Sequence, residues 1–89
     1  MKLNKGDVVR LYNFEELLHS KYWFLDGIIL KPTARSNCCV TIPIKMWAVL
    51  GKKMKIRALE DNGHFSCYNN IYTYHTTMIK EVLGRYEVE

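Results

Sequence analysis

Cys38, Cys39, His64 and Cys67 come nearest in this chain to a metal-ligand set, and His64 and Cys67 form a His-x-x-Cys pair. Zinc needs donors that converge on a tetrahedron, which a Cys-x-x-Cys knuckle allows and two adjacent cysteines do not. In an extended segment His64 and Cys67 would also point to opposite faces. No metal site is expected. Nucleophilic catalysis lacks its parts as well: there is no nucleophile motif, no glycine-rich phosphate loop and no cluster of carboxylates. His19, His64 and His75 are scattered, and Cys67 with His75 is not by itself a dyad. In a chain this small a catalytic cleft would have to be built on a partner. The expectation is a protein without catalytic residues and without a cofactor.

Binding chemistry has more to work with. From Lys53 to Arg57 every second residue is basic, so Lys53, Lys55 and Arg57 would share one strand face, with Lys52 just before them. Tyr68, Tyr72 and Tyr74 follow across a turn and could neighbour that row. Charge that follows a phosphate backbone beside rings that stack on bases is how single-strand binders work. The same pattern also describes the wet face of a small sheet with tyrosines as cross-strand pairs. A second candidate surface is the run Tyr22, Trp23 and Phe24 with Ile28 beyond it. Three consecutive aromatics in a strand cannot all point inward, and exposed aromatics anchor protein interfaces. The alternative is that Trp23 and Phe24 straddle a hairpin and each meets core on its own side.

Eighty-nine residues, 48% of them hydrophobic and 25% charged, describe one globular domain over residues 1–89 with one modest core. The net charge is +4, and no acidic residue stands between Asp26 and Glu60, an interval holding Lys31, Arg35, Lys45 and the basic row. Such a region attracts anionic partners. Three cysteines, two of them adjacent, are a poor disulfide framework and read as small hydrophobes of a reducing compartment. The longest apolar runs are too short to span a bilayer, and the N-terminus lacks the apolar stretch of a signal peptide, so a cytoplasmic protein without membrane contact is expected.

The elements that must position these residues are short. Val8, Val9, Arg10, Leu11 and Tyr12 follow a Gly-Asp turn and predict a first strand. Asn13 with Glu16 makes a capping-box signature for a helix of about two turns, with Phe14, Leu17 and Leu18 on one face. Two apolar runs flank Asp26-Gly27, the pair expected at the centre of a type I′ hairpin that ends at Pro32. Pro43 and Gly51 bracket a second helix carrying Met46, Val49 and Leu50. The period then becomes two, with Met54, Ile56 and Ala58 inward. Asp61-Asn62-Gly63 predicts a turn, Phe65 and Cys67 a returning strand, "IYTYH" another, and "TTMIKEVLG" a last helical turn or two. Several short strands with tight turns predict a mainly β fold, a small, partly open, SH3-like antiparallel barrel with two or three short helices.

The order of these signals resembles the small SH3-like barrel proteins of bacteriophages and Gram-positive bacteria, over residues 5–12 and 40–83. Met46, Leu50, Gly51 and Lys52 match their "M-x-x-x-L-G-K" helix end, Ile56 their central strand, and Tyr74, Met78 and Ile79 their aromatic closing strand and "M-[IF]" helix. Two features depart from that pattern. His75, Thr76 and Thr77 stand where the family places Thr and acidic residues, and "YWFLDGIILKP" reads as an insertion. The resemblance implies a fold and a phage or mobile-element origin, with no agreed activity. The expectation is a non-enzymatic module that docks on a host protein or nucleoprotein in a bacterial cytoplasm. Inhibition of a bacterial defence nuclease, such as a CRISPR effector, suits the size, the origin and the lack of chemistry. The alternatives are an accessory protein binding RNA or DNA through the basic row, and a component that self-associates as a homodimer through the hairpin.

Overall fold

The computed structural model describes residues 2–84. Five antiparallel strands form its main sheet: β1 (Val8–Leu11), β4 (Lys53–Leu59), β5 (His64–Cys67), β6 (Thr73–His75) and β7 (Ile79–Gly84), in the spatial order β6-β5-β4-β1-β7. Two more, β2 (Trp23–Asp26) and β3 (Ile29–Pro32), pair with each other as a separate hairpin. The domain is mainly β, as its alternating runs predict. β1 binds both β4 and β7, so the last described strand returns beside the first. Register shifts in the β1–β7 and β4–β5 ladders bend the sheet, because each extra residue sharpens the local twist.

The helix α1 (Phe14–Leu18) is a five-residue turn, shorter than its apolar face predicts. Its capping box is complete: Asn13 Oδ1 accepts the Glu16 N–H at 2.8 Å and Glu16 Oε1 accepts the Asn13 N–H at 2.9 Å. The Asn13 N–H, and then Lys80, hold the Glu16 carboxyl below its usual range. Because α1 ends so early, Leu17 is buried while Leu18 remains exposed. Phe14 packs instead on Trp47 of the 3-10 helix Ile44–Val49, ring centroids 4.3 Å apart. Gly51 follows that helix at φ +82°, and a Cβ there would sit 3.3 Å from Asn13 Cβ, so the two helix ends meet at this point. Replacing Asn13 by alanine removes the side-chain acceptor and should cost about 1 kcal/mol. A lower urea midpoint with an unchanged slope would show it.

Three expectations are corrected. The hairpin closes on the pair Asp26↔Ile29, so its two central residues are Gly27 and Ile28 rather than Asp26 and Gly27. Gly27 alone has a positive φ, +67°, which is the pattern of a type II′ turn with Gly first. Ala58 does not share a face with Ile56. A bulge after Ile56 sets Ala58 opposite Ser66 and returns Leu59 to the face of Phe65. The closing segment is not helical beyond the single 3-10 turn Thr76–Met78; Ile79–Gly84 is strand, which satisfies the outer edge of β1.

The core gathers Val9, Leu11, Leu17, Trp23, Leu30, Ile42, Met46, Ile56, Phe65, Tyr74 and Met78. The hairpin joins this core through Trp23 and Leu30. Leu30 exchanges backbone hydrogen bonds with Ile42 at 2.9 and 3.0 Å. Among the described residues no helix is long and apolar enough to cross a membrane.

Candidate functional site

The hairpin divides its residues by face. Cross-strand partners share a face, so Trp23, Leu25, Leu30 and Pro32 lie on the core side, and Phe24, Asp26, Ile29 and Lys31 on the outer side. Trp23 is buried, and its indole N–H donates to Thr77 Oγ1 at 3.1 Å. Expected among the surface anchors, it is a core residue, because the strand direction at the base of the hairpin points it under the sheet. Tyr22 is half-buried and packs against the same core. Phe24 and Ile28 keep the exposure expected of an anchor surface, at 45% and 62%. Leu25, which the sequence did not single out, is also exposed, at 42%, although it pairs with the buried Leu30 on the core side. An Asp26–Lys31 ion pair of 2.7 Å braces the outer face beside Phe24.

On the main sheet, Lys53, Lys55 and Arg57 are all exposed, and Lys52 stands in the turn before them. Lys53 and Lys55 share a strand face, and the register shift between Ile56 and Ala58 falls at Arg57 itself. Of the three tyrosines only Tyr68 accompanies it: Lys55 Nζ lies 5.9 Å from the Tyr68 ring centroid, and the Tyr68 N–H donates to the Lys55 carbonyl. Lys53, Lys55, Tyr68, Asn69 and Asn70 line one open cleft. Tyr72, expected beside the row, packs half-buried against the core, and Tyr74 is fully buried and stacked on Phe65 at 5.7 Å. Side chains alternate along β6, so Tyr74 takes the core face.

The residues weighed for metal and catalysis are dispersed. Cys67 lies on the core face, and burial pushes its thiol up to about 12, so it is a neutral thiol near pH 7. Burial also raises the Cys38 thiol. His64 and His75 are paired across β5 and β6, ring centroids 4.7 Å apart, on the opposite face. Among the described residues no three His, Cys, Asp or Glu side chains gather as a metal would require. Each imidazole accepts a backbone N–H: His64 Nε2 from Cys39 at 3.1 Å, and His75 Nδ1 from Thr77 at 3.2 Å. The remaining ring nitrogens therefore donate, His64 Nδ1 to the Asp61 carbonyl and His75 Nε2 to the Asn62 carbonyl. His75 thus supplies the cap of the last 3-10 turn that the missing acidic residues do not. The sequence could not reveal this use, because a histidine cap has no spacing signature.

Burial, with a smaller push from His64, holds the His75 pKa below its ordinary 6.5, against the opposing pull of the Asn62 carbonyl. Below about pH 6.5 the unfolded chain then binds more protons than the folded one, so stability falls as pH drops, until the folded-state pKa is passed. Urea midpoints taken from about pH 7.5 down to 5 should decline in the native protein. The decline should be shallower in His75→Gln; equal slopes in the two proteins would contradict the assignment.

Comparison with family models, with curated proteins and with solved structures returns no match for this chain.

Proposed function

We propose that this protein is a non-enzymatic binding module that docks on a larger protein or nucleoprotein through the tip of its β2–β3 hairpin. The observation that carries this reading is the exposure of Phe24, Leu25 and Ile28 within five residues of one hairpin. Leaving a large apolar side chain in water forgoes about 1.5–3 kcal/mol. Of the other exposed large apolar residues, Leu18, Ile44, Leu59 and Val82 stand one to an element, and Tyr68 and Ile71 share the loop between β5 and β6. The tip is also held in shape by Trp23, the Leu30–Ile42 bridge and the Asp26–Lys31 pair, so little ordering cost remains when a partner covers it.

The five-stranded sheet is, on this reading, an SH3-like barrel in which the hairpin is an insertion. The placement of β1 between β4 and β7 and the bulges that curl the sheet support this. A phage or mobile-element origin, a bacterial cytoplasmic setting and inhibition of a defence nuclease rest on the sequence resemblance and belong to the same proposal. A second reading, binding of RNA or DNA by Lys52, Lys53, Lys55 and Arg57, is favoured by the Lys55–Tyr68 contact. Light scattering separates both from self-association: a monomer at micromolar concentration removes the hairpin as a homodimer contact. The discriminating experiment compares capture of partners by the native protein, a Phe24→Asp/Ile28→Asp variant and a Lys53→Glu/Lys55→Glu/Arg57→Glu variant.

A further inference from the structure

Far from the hairpin tip in character, a cleft of about 610 Å³ opens between the segment that leads into β2, the loop after β3 and the 3-10 turn Thr76–Met78. Its volume lies within the roughly 300–1,000 Å³ of small-molecule clefts. How the chain builds it explains its chemistry. Thr33 clamps the two walls, its N–H donating to the Tyr22 carbonyl at 2.9 Å and its Oγ1–H to the Lys21 carbonyl at 2.8 Å. Thr33 also begins the turn closed by the Ser36 N–H and hydroxyl, both on the Thr33 carbonyl. Arg35 is carried on that turn and Lys21 on the clamped segment before β2, so two cations from separate segments line one opening.

Three cations outside the cleft are ion-paired. Arg10 pairs with Glu81, Lys31 with Asp26 and Lys80 with Glu16. Lys21 and Arg35 have no carboxylate partner among the described residues, and Lys21 has only the Tyr22 ring, 5.7 Å from its Nζ. Among the described residues no carboxylate lines the cleft, whose other polar groups are hydroxyls, the His75 imidazole and the amides of Asn37 and Asn62. The floor is rigid. Trp23 Nε1–H donates to Thr77 Oγ1, whose hydroxyl lies 3.0 Å from His75 Nδ1, and His75 Nε2–H donates to the Asn62 carbonyl.

We propose that this cleft binds a nucleoside phosphate, with Arg35 and Lys21 on the phosphate and a half-buried tyrosine, Tyr12 or Tyr22, against the base. An anion suits two unpaired cations, and guanidinium matches phosphate oxygens in a bidentate fork. Aromatic faces with free amide and hydroxyl groups are what hold an unstacked base by its plane and edge. A phosphorylated tyrosine would use the cations and leave the amides without a purpose. The ligand is either a free nucleotide or the phosphorylated end of an oligonucleotide; the chemistry is shared.

The test follows the backbone amide resonances of the isotope-labelled full chain during titration with adenosine 5′-monophosphate. Adenosine, inorganic phosphate, phosphotyrosine and a 5′-phosphorylated oligonucleotide serve as separate arms. Saturable shifts at Lys21, Arg35, Thr76 and Thr77 are expected with the monophosphate and much weaker ones with adenosine or phosphate alone. Arg35→Ala and Lys21→Ala, both at exposed positions, should each weaken binding about tenfold, as removal of a charge-assisted hydrogen bond implies. Tighter binding of the oligonucleotide than of the monophosphate assigns the source to a strand end; the reverse assigns it to a free nucleotide. Equal binding of inorganic phosphate, equal or tighter binding of phosphotyrosine, or no shifts at millimolar monophosphate would each overturn the proposal.

Discussion

Trp23→Ala lowers the stability of this domain by about 3–5 kcal/mol, the range for emptying a fully buried aromatic site. In a domain of this size each kcal/mol corresponds to about 4–8 °C in Tm, so a loss of about 12 °C is the least expected. Two effects combine. The side chain that ties the hairpin to the main sheet disappears, and Thr77 Oγ1 loses its indole donor beneath the His75 cap. Trp23→Phe lies between, since it keeps one aromatic ring but removes the indole donor and part of the buried volume, at about 1–3 kcal/mol. Phe24→Ala, one residue away and exposed, should stay within about 0.5 kcal/mol. Thermal unfolding of the three variants checks this order; a Phe24 variant as unstable as the Trp23 variant would invert the assignment of faces.

The second large effect concerns binding. Phe24→Asp with Ile28→Asp sets two charges in the centre of the proposed interface and should weaken partner binding at least about thirtyfold, the loss typical of an anchor residue. Fold and Tm should hardly change, because neither side chain reaches the core. Reversing Lys53, Lys55 and Arg57 should leave that protein interface within a few-fold of its native affinity. If the ligand is instead a single-stranded nucleic acid, the same reversal should abolish binding and flatten its salt dependence, by about 0.7 in the logarithmic slope for each phosphate no longer neutralised. Affinities of both variants measured at two ionic strengths read out these opposite patterns.

Much of the architecture was legible because local physics and tertiary fold agree. The Asn13–Glu16 capping box, the strand from Lys53 and the turn at Asp61–Gly63 each stand where their residues predict. The errors arise where a tertiary demand overrides a local signal. Ile79–Gly84 carries a pattern compatible with a helix, yet the unpaired edge of β1 draws it into strand. Asp26-Gly27 favours one turn type, yet the pairing of Leu25 with Leu30 selects Gly27-Ile28 for the bend. For the candidate surfaces, composition shows that the aromatics of Tyr22–Phe24 cannot all be inward, but which one turns inward depends on where the hairpin meets the sheet. The unpaired cations of the cleft were illegible, since Lys21 and Arg35 converge only through the Thr33 clamp.

The most direct test of the docking reading is comparative affinity capture from bacterial lysate, with and without nuclease, using the native protein beside the tip-charged and row-reversed variants. The account predicts one dominant protein partner that survives nuclease, persists with the Lys53/Lys55/Arg57 reversal and is lost with Phe24→Asp/Ile28→Asp. A broad, nuclease-sensitive set that disappears only when the basic row is reversed would contradict it and make the row the functional surface.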